Sequence, residues 1–166
     1  MKSKKLLLSS LLMAGGLLTF LTLTSTSDAS SGVMGASTAG CSCHGSANSA
    51  TTIEITGIPA TGWVAGTAYT VTLAVKNATK VAAGFDMTVT GGTISGAPAN
   101  TMLMGGTELH HTAPKLAASG STTWTFTWTA PASGSSVTFN IAGNAVNNTG
   151  GDSGDQWALA SLVFNK

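Results

Sequence analysis

From Thr123 to Thr129, threonines and aromatics alternate without a slip, with Trp124, Phe126 and Trp128 on one side and Thr123, Thr125, Thr127 and Thr129 on the other. A repeat of two is the repeat of a pleated strand; a helix would scatter the three aromatics around its axis. Threonine is branched at Cβ and suits the solvent face of a sheet. The aromatic row requires a second apolar surface opposite it, so a single exposed sheet is excluded. The same alternation recurs in Ile53 and Ile55, in Val71, Leu73 and Val75, in Phe85, Met87 and Val89, and in Val137, Phe139 and Ile141. Gly, Pro, Asn and Asp clusters at 57–66, 91–100, 130–136 and 143–154 separate the runs. No helical period follows residue 30. About seven short strands in roughly 110 residues predict an all-β fold, an antiparallel β-sandwich of immunoglobulin- or fibronectin-like plan. Trp124, Phe126 and Trp128 are expected in its core. Gln156 to Phe164 is apolar on both faces, which predicts a central strand.

Charge narrows the function. Only 8% of the 166 residues are charged, with 7 Lys, no Arg and 6 acids. That composition argues against a nucleic-acid surface. With 3 His and no nucleophile spaced for a base, no hydrolytic constellation emerges and the chain is not read as an enzyme. Lys2, Lys4 and Lys5 precede the apolar run Leu6 to Leu23, and Ser27 and Ala29 take positions −3 and −1 of a cleavage site. Residues 1–29 are therefore expected to be a signal peptide, 30–50 a flexible segment, and 51–166 the sandwich domain. A retained membrane anchor is the rival reading of the leader. Cleavage removes three Lys and Asp28, leaving 4 Lys against 5 acids. The mature chain is expected in the periplasm or outside the cell, without stable membrane insertion. Homo-oligomerisation stays open.

Gly40-Cys41-Ser42-Cys43-His44-Gly45 breaks the strand rhythm. A Cys-His pair after a nearby Cys is the chemistry of haem c attachment: thiols add to the vinyl groups and the next imidazole takes an axial place on iron. The usual motif has two residues between its cysteines and this chain has one. Double attachment, a single thioether through Cys43, a Cys41–Cys43 disulfide and a thiolate metal site are all open. A second axial ligand would come from His110 or His111, which face opposite ways in a strand, or from Met102 or Met104. The two methionines are otherwise expected to fill core gaps. The acidic loop 150–155 reads as a turn rather than a calcium loop. Asn77-Ala78-Thr79 and Asn147-Asn148-Thr149 are sequons only where the host glycosylates.

Over nearly all of residues 40–165 the chain resembles the Reeler-like, choice-of-anchor V domains of exported bacterial proteins. The resemblance is carried by the Cys-Ser-Cys-His segment, Tyr69-Thr70-Val71-Thr72-Leu73, Ala83-Gly84-Phe85-Asp86-Met87, His111-Thr112, Trp124 to Pro131, Ala142-Gly143-Asn144-Ala145 and Gly151 to Asp155. It implies a β-sandwich with one covalent haem c held through Cys41 and Cys43, His44 as proximal ligand and His111 as the distal one. Many relatives continue into an anchoring tail, whereas Lys166 directly follows the last strand, so a soluble exported form is expected. The leading expectation is a monohaem cytochrome-like domain that passes electrons to redox partners which the sequence does not identify. The alternatives are a haem-free Reeler-like adhesion or matrix-binding module, and a periplasmic copper-binding protein using Cys41, Cys43, His44, His110, His111, Met102 and Met104.

Overall fold

A computed structural model describes residues 35–166, and the expected leader lies outside them. Two antiparallel sheets pack face to face. The smaller carries β1 (Thr52–Thr56), β2 (Ala68–Lys76), β8 (Ser121–Thr129) and β4 (Thr93–Ser95), in that order. The larger runs β10 (Gln156–Asn165), β9 (Ser136–Val146), β3 (Ala82–Val89), β6 (Glu108–His111) and β5 (Thr101–Met104), with β7 (Lys115–Leu116) also paired to β3. The expected all-β sandwich is the fold that forms. Its additional strands, β4 to β7, are short and lie in stretches whose glycines and polar residues mask the alternation.

The aromatic row on β8 faces inward as its period demands. Trp124, Phe126 and Trp128 are buried between the sheets. Trp128 stacks on Tyr69 at 5.9 Å and meets Trp63 and Phe139 edge-on. Its Nε1 donates to Gly91 O at 3.0 Å, so the indole's one polar atom is satisfied inside the core.

Two expectations are corrected. β10 is an edge strand, paired only with β9 among the strands. Its outer-face apolar residues have another explanation. Trp157 is covered by the N-terminal segment, its Nε1 donating to Gly45 O at 2.9 Å, while Val163 is 59% exposed. Met102 and Met104 do not fill the core: both lie on the edge strand β5, and Met102 is 50% exposed.

From Gly35 onward the approach to the sandwich lies against it. One helical turn, α1 (Ala36–Ala39), and a 3₁₀ turn (Ser42–His44) lie over the outer face of the larger sheet. Gly40 allows this contact. A Cβ there would stand 2.4 Å from the Trp157 ring, and its φ of +85° suits only glycine readily.

Candidate functional site

Where β6 ends, the ladder on β3 breaks. Asp86 pairs with His110 and Ala83 with Lys115, but Thr112, Ala113 and Pro114 loop out between them. Pro114 has no N–H to give a ladder. Phe85 thus lacks a backbone partner on that side, and the His111 ring takes the place of one. Its Nδ1 lies 2.8 Å from Phe85 O and 3.0 Å from Phe85 N. In the tautomer with a proton on Nδ1, the ring donates to the carbonyl and Nε2 keeps its lone pair. The imidazole lies against Gly84, where a Cβ would be 2.4 Å from His111 Nε2.

The broken ladder opens a cleft of about 150 Å³ between the sheet and the N-terminal segment. Cys41, Cys43 and His44 line it from the N-terminal segment, and Gly84, Phe85, Asp86, His111 and Pro114 from the sheet. His44 is held from the far end of the chain: its Nδ1 sits 2.9 Å from Asp155 Oδ2. Asp155 is nearly fully buried there, and its Oδ1 accepts from Asn147 N at 3.2 Å. Nδ1 of both imidazoles is therefore engaged, that of His44 by a carboxylate oxygen and that of His111 by the Phe85 backbone, an arrangement that fixes ring orientation.

Burial favours the neutral forms of His111 and Cys41. Burial holds the His111 imidazolium below the ordinary histidine range. The Phe85 hydrogen bond opposes that shift, and the His110 and His44 charges add to it. Burial first, then Asp86 and Cys43, pushes the Cys41 thiol up to about 11. Both thiols are free; Cys43 is exposed and Cys41 partly buried.

Of the residues marked in the sequence, Cys41, Cys43, His44 and His111 meet at one cleft. His110 does not line it, although it shares the outer face of the sheet with its strand partner Asp86, which does. Met102 and Met104 are also absent from the cleft lining. The seven-residue copper set is thereby divided. Asp155 is a site residue that the sequence reading missed, since an Asp beside glycines looks like any turn. The sequons are occupied by the fold: Asn77 Nδ2 donates to Thr51 Oγ1 and Gln156 Oε1, and Asn147 Nδ2 to Ser153 O.

No family model and no curated protein matches the chain. Among solved structures, the human F-spondin reeler domain aligns over 76% of this chain and 100% of its own, with a TM-score of 0.47 and 16% identity. A DUF4466 family protein from Parabacteroides merdae aligns over 68% of this chain and 42% of its own, at 0.40 and 13%. Likeness at this level carries no functional weight. Among the described residues, no helix is long and apolar enough to cross a membrane.

Proposed function

We propose that the chain is an exported, monohaem c-type electron-transfer domain. The observation that carries this reading is the shared cleft of His44 and His111, each with Nδ1 tied down and Nε2 available, beside the two thiols. The residues fit the group. Two imidazoles facing one cleft suit axial ligation, and an adjacent Cys-His suits covalent attachment. Bound haem would supply one-electron redox chemistry. The protein's own part is to orient His44 through Asp155, to keep His111 neutral by burial and oriented by Phe85, and to shield one side of the cleft with the sheet. Cys43, exposed and next to His44, is the principal attachment point, and Cys41 the second. No catalytic step is assigned. The leader supports export to the periplasm or beyond, where attachment takes place.

The test is expression with haem c maturation machinery, read by intact mass and absorption spectrum. One covalent porphyrin on the mature chain is expected. It should be lost in Cys43→Ala and either kept or weakened in Cys41→Ala, according to whether one or two thioethers form. Covalent haem that survives the double variant would overturn the assignment. A colourless wild type would return the chain to a haem-free binding module.

A further inference from the structure

On the outer face of the larger sheet, adjoining the cleft through Asp86, lies a second constellation. Strand register places Asp86 directly across from His110 and Thr88 across from Glu108. Alternation puts these four side chains on one face, while Met87 and Leu109 enter the core. One donor atom each from Asp86, Glu108 and His110 lies within 4.8 Å of the other two. Asp86 is 4% exposed and His110 3%. Both carry a buried polar atom with no hydrogen-bond partner, Asp86 Oδ1 and His110 Nδ1. The other carboxylate oxygens are already committed in part: Asp86 Oδ2 accepts from Ser37 N at 2.8 Å and Glu108 Oε1 from Gly35 N at 3.3 Å.

Two carboxylates side by side, one of them buried beneath Ser37, are costly. Burial raises the Asp86 carboxyl above its usual range, and Glu108 adds to that rise. An unpaired buried polar atom costs about 1–3 kcal/mol. A bound cation would relieve all of this at once, because it takes lone pairs from Asp86 Oδ1 and His110 and offsets the negative charges.

We propose that Asp86, Glu108 and His110 form a site for a first-row divalent cation, Zn²⁺ by preference. One imidazole and two carboxylates is a borderline donor set that favours Zn²⁺ over Ca²⁺ or Mg²⁺, which take oxygen ligands alone. Three protein ligands leave one position for water. The same carboxylates accept N–H groups from Gly35 and Ser37, so the ion ties the N-terminal segment to the β3–β6 pair. That tie holds the Cys41–His44 segment over the sheet. The assignment shares only Asp86 with the cleft lining and uses neither thiol, nor His44, nor His111.

The experiment uses the mature chain carrying Cys41→Ser and Cys43→Ser, stripped of metal and titrated calorimetrically with ZnCl₂. Thiolate binding and haem attachment are both removed in that background. One equivalent should bind, and the thermal midpoint should rise with zinc. Glu108→Gln, at a half-buried and tolerant position, should weaken binding at least about 10-fold, and Asp86→Asn likewise. Co²⁺ should give ligand-field bands without a thiolate charge-transfer band. Failure of the double-Ser chain to bind zinc would overturn the proposal. So would binding that Glu108→Gln and Asp86→Asn leave unchanged.

Discussion

Asp155 Oδ2 stands 2.9 Å from His44 Nδ1, joining residues 111 positions apart. The contact links the entry to β10 with the segment ahead of β1. It gives the Cys-His motif a fixed imidazole rather than a loop histidine free to rotate.

Replacing Asp155 with Asn should reverse the His44 tautomer. Asn147 N donates to Asp155 Oδ1, so the new amide must keep its oxygen on that side and turn its NH₂ toward His44. Nδ1 then has to accept, and the proton moves to Nε2, the atom needed for coordination. ¹⁵N shifts of the haem-free protein should show Nδ1–H in the wild type and Nε2–H in Asp155→Asn. Identical shifts would mean that the carboxylate does not set the tautomer.

The two thiols should respond differently to pH. Cys41 is pushed up to about 11 from the ordinary 9.0. At pH 8 its thiolate is on the order of one part in a thousand, and reactivity follows the thiolate. In the haem-free chain iodoacetamide should label exposed Cys43 first, with Cys41 labelling rising about tenfold per pH unit toward 11. The linkage has a definite sign. The unfolded thiol ionises near 9.0 and the folded one near 11, so this contribution to stability is intact below pH 9 and is lost as pH rises from 9 to 11. Urea midpoints at pH 8 and pH 10.5 measure it, with Cys41→Ser as the variant in which that part of the decline disappears. Equal labelling of both cysteines at pH 8 would contradict the buried placement of Cys41.

The core was legible because its signal is local. Strict alternation at Trp124, Phe126 and Trp128 has one structural solution, and the opposite sheet supplies its partners. The cleft was legible only in its parts. Cys41, Cys43 and His44 announce themselves by adjacency, and the resemblance selected His111. What brings His111 to them is a gap in the β3 ladder made by residues 112–114, a feature of strand pairing that no local pattern encodes. Trp157 misled for a related reason. Its apolar outer face is covered by the chain's own N-terminal segment, which a window over 156–164 cannot see. Asp86 and His110 belong to separate runs, and only the β3–β6 register makes them neighbours.

Gly84 should tolerate no side chain. Its φ is ordinary, so the constraint is space alone: a Cβ would stand 2.4 Å from His111 Nε2 and 2.6 Å from Cδ2 and Cε1. Gly84→Ala is expected to push the ring off Phe85 and cost about 1–3 kcal/mol. Gly151→Ala is the comparison, since a Cβ there meets nothing within 4 Å. It should stay within about 0.5 kcal/mol of the wild type. Chemical denaturation reads the cost and the His111 ring resonances report the displacement. An unshifted ring with unchanged stability would show that the His111–Gly84 contact is slack.

Under the haem proposal, His111 rather than a methionine should be the second axial ligand. His111 lines the cleft with His44, whereas Met102 and Met104 stand on β5, away from it. Burial keeps the His111 imidazole neutral, the form that binds iron, and Phe85 O fixes which nitrogen faces outward. In the haem-loaded protein, oxidised wild type should therefore show a low-spin spectrum without the weak far-red band of methionine ligation. His111→Ala should turn it high-spin, with added imidazole restoring the low-spin form by filling the vacated place. Met102→Leu and Met104→Leu should leave the spectrum as it was. The same experiment weighs the fold against the motif. His44 lies in the Cys-His motif itself, but His111 is offered by the sheet, so a low-spin His111→Ala protein would mean that the broken β3 ladder plays no part in ligation.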